Sequence, residues 1–153
     1  MKYKCRSLAA FLLTAVLLLT GCGKPELPEP QVLAAALLEA ADGPEMAAMT
    51  ADFLLENTGL SPADYESAVY YLPDGSTAPD ELIVVRCADG AQAEAARERL
   101  EKRLSGKEQA AQYYLTEQLP VIRAGLVRRD GLTVTLLVSE SLEAMQKVFA
   151  RYR

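Results

Sequence analysis

Glu81-Leu82-Ile83-Val84-Val85-Arg86-Cys87 and, further on, Val134-Thr135-Leu136-Leu137-Val138-Ser139 are the stretches that decide how this chain folds. The first is hydrophobic without interruption from Leu82 to Val85, as a strand at the centre of a sheet is. In the second, Leu132, Val134, Leu136 and Val138 alternate with Thr133, Thr135, Leu137 and Ser139, which predicts one buried and one more polar sheet face. Each is preceded by another β-type run. Residues 65–72 lead into the first across a loop at 73–79, and residues 121–129 lead into the second across Asp130-Gly131, a favoured two-residue hairpin turn.

A helical pattern follows each pair. Asp89 and Gln92 form an N-cap pair, and Ala93, Ala96, Leu100 and Leu104 recur at helical spacing while Glu94, Arg97, Glu98, Glu101 and Lys102 face outward. Ser105-Gly106 interrupts that pattern, which resumes over 107–118 ahead of Pro120. A last helix over 142–152 buries Leu142, Met145, Val148, Phe149 and Tyr152. Aligning 83–88 with 134–139 gives two ββα units in succession. The expected fold is α+β: duplicated ββα units forming a four-stranded antiparallel sheet with helices on one face, Cys87 pointing inward beside Val138. Two N-terminal helices precede it. One covers 32–41 and stops at Asp42-Gly43-Pro44; the other covers 45–56 and ends at Asn57-Thr58-Gly59, a C-cap. Ser61-Pro62-Ala63-Asp64 then punctuates the chain.

Outward from this domain, toward the start of the chain, the composition changes. Residues 23–31 hold three prolines in nine positions and read as an extended tether. Before them, Lys2, Lys4 and Arg6 lead an apolar run over 8–19 broken only by Thr14, the pattern of a signal peptide. A membrane span needs about 20 apolar residues, and this run is shorter. Leu19-Thr20-Gly21-Cys22 resembles the bacterial lipobox. That resemblance implies cleavage between Gly21 and Cys22 and a diacylglyceryl thioether on Cys22, whose acyl chains, palmitate among them, hold the protein on the outer face of the cell membrane. The organisation is then a signal peptide at 1–21, lipidated Cys22 with its tether at 22–31, and one domain at 32–153.

Removing residues 1–21 takes three of the sixteen basic residues and no acidic one. The remaining 13 basic against 21 acidic residues give a formal net charge of −8. Such a surface disfavours nucleic acid. Arg123, Arg128, Arg129, Arg151 and Arg153 are read as solvated hairpin and helix-end charges. Cys5 leaves with the signal, so Cys87 is the one free thiol, expected buried and structural.

The order Asp80-Glu81-Leu82-Ile83-Val84-Val85, the charged helix to Leu104, Tyr114 with Glu117 after it, then Val121-Ile122 and the hairpin to Leu136-Leu137-Val138-Ser139, resembles the small bacterial lipoproteins grouped as domain of unknown function 4358. The resemblance covers about 65–149 and implies no activity. Where that family usually has Pro two positions after the Tyr, this chain has Thr116.

Chemistry is constrained by what is missing. With no histidine, Ser-His-Asp and Cys-His catalysis are excluded. No Gly-rich phosphate loop precedes a helix. The acidic ends of the 74–81 loop could grip calcium but fail the EF-hand spacing, and a plain hairpin loop is the favoured reading. No cofactor or metal is expected. Two readings follow. The first is a non-catalytic binding or interaction module at the cell envelope, for a partner protein or wall polymer, with Tyr70, Tyr71, Thr133 and Thr135 on an open sheet face. The alternative is a cell-wall glycan hydrolase using Asp80 or Glu81 with Glu117 as acid and base.

Overall fold

In the computed structural model, which describes residues 26–152, the two apolar runs lie side by side as inner strands of one antiparallel sheet. The expected signal peptide, its Gly21–Cys22 cleavage site and the lipidated Cys22 lie outside the described residues. Helix α1 is Pro30–Ala40, strand β1 Met46–Ala48, helix α2 Ala51–Thr58, β2 Ser67–Pro73 and β3 Glu81–Arg86. Helix α3 is Gly90–Tyr114, α4 Leu119–Ala124, β4 Leu126–Asp130, β5 Thr133–Val138 and α5 Leu142–Val148, with a closing 3₁₀ turn at Phe149–Tyr152. The class is α+β, as expected. The sheet has five strands rather than four, in the order β1-β2-β3-β5-β4.

Strand β3 is central, with Glu81 opposite Val138, Val84 opposite Thr135 and Arg86 opposite Thr133. Its side chains alternate between two cores. Ile83 and Val85 join Tyr70, Val134, Leu136 and Val138 beneath α3, with Ile122 of α4 and Leu54 of α2 at the edges. Leu82, Val84 and Leu137 lie beneath α1 and α5, against Leu33, Leu37, Met145 and Val148. Helices therefore cover both faces. This corrects the expectation of one open, polar face: Thr133 and Thr135 are each only 1 % exposed. It also removes the strict ββα duplication. A two-fold axis relating antiparallel β3 and β5 would set both following helices on one side of the sheet, whereas α3 and α5 lie on opposite sides.

Three local readings also change. The fifth strand, β1, comes from a segment expected to be helical. Met46, Ala47 and Ala48 pair with Pro73, Leu72 and Tyr71, so an alanine-rich run is taken into the sheet by the free edge of β2. Helix begins only after Thr50, whose side chain accepts from the Phe53 amide at 3.2 Å, and it ends at Gly59 in the left-handed conformation, the expected C-cap. The expected strand over 121–129 starts as helix α4, with Pro120 in its first turn, where a missing N–H costs nothing. The hairpin is shifted by one residue. Asp130 pairs with Thr133, so the turn is Gly131-Leu132, with Gly131 at φ 62°.

The expected helix cap at Asp89 is present and reciprocal: its side chain accepts from the Gln92 amide at 2.8 Å, and the Gln92 side chain accepts from the Ala88 amide at 3.0 Å. Helix α3 then continues unbroken through Ser105-Gly106. Cys87 is buried as expected, but it sits at the other end of β5 from Val138, its amide donating to the Leu132 carbonyl at 2.9 Å. The expected tether also ends early. Arg86 donates to Glu26 Oε1 at 2.6 Å and to the carbonyls of Leu27 and Pro28, and Leu27 is buried among the α1 and α5 side chains. From Glu26 onward the chain is part of the domain.

Gly125 links α4 to β4 where a Cβ would stand 2.8 Å from the Ile122 carbonyl oxygen, 2.8 Å from Leu104 Cδ1 and 3.0 Å from Val138 Cγ2. Gly125→Ala is expected to destabilise by about 2 kcal/mol through overpacking against a backbone atom that cannot yield. Gly106→Ala, in open space on α3, should instead stabilise by about 0.5–1 kcal/mol. Urea denaturation of the two variants checks both signs.

Candidate functional site

The first residue of β3 carries a charge into the core. Glu81 is 1 % exposed, and three groups meet its carboxylate. The Tyr70 hydroxyl, one strand away, donates to Oε1 at 2.9 Å. Arg103 donates from Nε to Oε1 at 2.9 Å and from Nη2 to Oε2 at 3.3 Å, and Lys107 Nζ reaches Oε2 at 2.7 Å. Arg103 and Lys107 stand four residues apart on α3, so one face of the helix presents both. That geometry explains why α3 runs straight through Ser105-Gly106: the two cations flank the glycine and both hold Glu81.

Burial opposes ionisation of Glu81, but the Lys107 ammonium and the Arg103 guanidinium together outweigh it and keep its pKa below the ordinary carboxylate value. Burial, and next the Glu81 charge, push the Tyr70 phenol well above its usual range. Both Glu81 oxygens are thus engaged in ion pairs. The cluster is structural in character, with no free acid or base.

The neighbouring residue faces the other way and meets a different fate. Asp80 is 8 % exposed and lines a cavity of about 460 Å³ at this end of the sheet, together with Leu38, Met46, Leu82, Ser139 and Met145. Its Oδ1 would lie 3.4 Å from a Cβ on Gly43, so the α1–β1 loop roofs it. Among the described residues no group donates a hydrogen bond to the Asp80 carboxylate. The same loop is latched to the start of α5, where the Ser141 hydroxyl accepts from the Asp42 amide at 2.9 Å and donates to the Asp42 carbonyl at 3.1 Å. Ser139 Oγ accepts from the Ser141 amide at 3.1 Å.

The structure separates the residues that sequence reasoning grouped. Glu117 is exposed on the turn after α3, while Glu81 is enclosed in its ion pairs; no free acid–base couple is assembled. Tyr70 and Tyr71 point to opposite faces, as strand geometry requires. Tyr70 is buried against Phe53 with ring centroids 5.8 Å apart, and Tyr71 is half-buried by α1 and α5. With Thr133 and Thr135 enclosed, these four do not form a surface. Thr133 Oγ1 and the Nε of Arg86 opposite it are buried without a hydrogen-bond partner among the described residues.

The arginines are spent in pairs, Arg128 with Asp130, Arg129 with Glu94 at 2.8 Å and Arg123 with Glu108 at 2.8 Å, so no basic patch is left at the hairpin. Burial pushes the Cys87 thiol above its usual value. Among the described residues, no three His, Cys, Asp or Glu side chains are placed to hold a metal ion. Arg103 and Lys107 were not foreseen as partners of Glu81. The available signal was their four-residue spacing together with a carboxylate heading an apolar strand.

The sequence matches the family described as "Domain of unknown function (DUF4358)" over residues 39–139, which takes in the whole sheet, Asp80, Glu81, Arg103, Lys107 and Ser139. The match begins earlier than the resemblance read from sequence and ends before α5. No curated protein and no solved structure matches the chain.

Glu81→Gln leaves two cations facing a neutral amide, and the expected cost at pH 7 is about 3 kcal/mol, at the low end for a broken buried pair because Arg103 and Lys107 retain some contact with water. Since folding lowers the Glu81 pKa, its stabilisation is complete above the unfolded-chain value of 4.5 and is lost as pH falls through the folded one. Urea unfolding at pH 7 and at pH 3 should therefore show the gap between wild type and Glu81→Gln shrinking in acid.

Proposed function

The chain belongs to the DUF4358 family, and from that premise we propose that it is a non-catalytic binding module carried on the outer face of a bacterial membrane by a lipidated Cys22. The observation that carries the binding reading is the cavity beside Asp80. It combines apolar walls with nearly as much polar surface, and its size lies within the range of small-molecule sites. The hydrolase reading has no comparable support: Glu81 is committed to Arg103 and Lys107, and Glu117 does not line the cavity that Asp80 faces.

The anchoring reading rests on Leu19-Thr20-Gly21-Cys22 behind its apolar run. No helix among the described residues is long and apolar enough to cross a membrane. Because the chain joins the domain at Glu26, a lipid on Cys22 leaves a reach of at most about 14 Å. Arg86 fastens that segment at one end of β3, and the cavity lies at the other end, where Glu81 meets Val138. On this reading the cavity opens on the side away from the lipid.

Two substitutions test the proposal in the native host. Cys22→Ala should abolish incorporation of labelled palmitate and move the protein out of the membrane fraction; retention in the membrane would count against the anchor. Ala41→Phe, which fills the cavity, should reproduce the phenotype of gene loss with the fold intact, while Glu117→Gln should leave function unchanged. The reverse pattern would favour the hydrolase.

A further inference from the structure

Two adjacent carboxylates at the head of β3 are treated oppositely by the fold. Glu81 is buried and receives three donors; Asp80 is nine-tenths buried and receives none from the described residues. The Asp80 carboxylate oxygens stay open to the cavity rather than sealed from water, and they are acceptors that the cavity offers to a ligand. The unpartnered group lines a cavity of mixed polar and apolar walls, and a donor seated there would complete it.

The chemistry of that donor follows from the walls. Among the described residues no lysine or arginine lines the cavity, and Glu45 adds a second acidic side chain to its lining. Glu81 with Arg103 and Lys107 carries one net positive charge, but both cations lie on the far face of the sheet and neither lines the cavity. A metal ion is a poor fit, because among the described residues no three acidic side chains converge. Apolar surface from Leu38, Met46, Leu82 and Met145 asks for a hydrocarbon body.

We propose that this cavity binds a small organic monocation, an alkylammonium or arylalkylammonium, with its charged head on Asp80 and its hydrocarbon body between Met46 and Met145. An ammonium carries three donors. One or two are taken by the Asp80 carboxylate, and Ser139 Oγ, which accepts only the Ser141 amide, keeps a second lone pair for another. Continued by one residue, the β3–β5 register sets Asp80 opposite Ser139, so the two groups face the same end of the cavity. This inference rests on the binding-module reading and names the ligand class that the cavity selects.

The methionines supply local reporters. Met46 and Met145 line the cavity, whereas Met49 packs in the core under α3 and serves as the internal control. The full chain, lipid-anchored in zwitterionic nanodiscs and labelled at the methionine methyl carbons, is titrated with hexylammonium, 1-hexanol and hexanoate. Hexylammonium should shift Met46 and Met145 but not Met49, and should bind at least about tenfold tighter than hexanol, a difference of 1.4 kcal/mol. Hexanoate should not bind.

Asp80→Asn should bring the ratio of hexylammonium to hexanol affinity to about one. Leu38→Lys, which supplies a tethered ammonium in place of the ligand's, should do the same and stands in if the first variant fails to fold. Equal binding of hexanol and hexylammonium by the wild type overturns the charge selectivity while leaving a binding cavity in place. An unchanged ratio in both variants overturns the role of Asp80. Silence of Met46 and Met145 toward all three probes overturns the inference and the binding-module reading together.

Discussion

An ionised carboxylate enclosed at the first position of the central strand sets the terms for the rest of this fold. Burying Glu81 alone would cost several kcal/mol, and only closely placed opposite charge with good hydrogen bonds recovers it. Tyr70 supplies one donor from the neighbouring strand, but the two cations come from α3, at Arg103 and Lys107. The helix must therefore lie across the sheet in one register and remain helical for a further turn past Gly106. Its 25 residues then fix where the chain can return, through α4 and the close approach at Gly125, to form β4. At the opposite end of β3, Arg86 faces the other core and fastens Glu26, Leu27 and Pro28. The two charges stand five positions apart, an odd number, so strand alternation sends them to opposite faces. Between them Leu82, Ile83, Val84 and Val85 provide the apolar burial, while the charged ends select which segments pack there.

Legibility in the sequence follows the range of the forces involved. β3 and β5 were readable because two-sided burial leaves an unbroken apolar run, and the caps at Asp89 and Gly59 because a cap is decided within four residues. β1 was not readable. Met46-Ala47-Ala48 carries no β signal, and the strand exists because β2 offers an unpaired edge. Nor was the second covered face, since Thr133 and Thr135 look like solvent-facing positions until α1 and α5 close over them. Alternation reveals which residues share a face, but not whether the more polar face is covered.

The candidate site divides along the same line. Asp80, Glu81 and Tyr70 stood out from the sequence as chemistry-bearing residues, yet the reading paired Asp80 or Glu81 with Glu117, which the fold leaves exposed. Of the true partners of Glu81, Arg103 was given no role in the reading and Lys107 only opened the expected continuation of the helix. A charged residue on a long helix gives no sign of its acceptor when that acceptor lies more than twenty positions away on another element. What distinguishes Arg103 and Lys107 from Arg97, which pairs with Glu94 and Glu101 on its own helix, is only the tertiary position of their face.

That division also bears on what the domain can recognise. The segment matching the family, 39–139, contains Asp80 and Ser139, whereas Met145 and the rest of α5 lie beyond it. The polar end of the cavity thus belongs to the sheet, where the Glu81 ion pairs hold the head of β3 in place. Its apolar walls come from α1, the sheet and α5, and α5 adds Met145 from a helix latched to the Asp42 loop through Ser141. Because Glu26, Leu27 and Pro28 are docked at the far end of β3, about 17 Å away along the strand, that contact could be held or released without disturbing the carboxylate that faces the cavity.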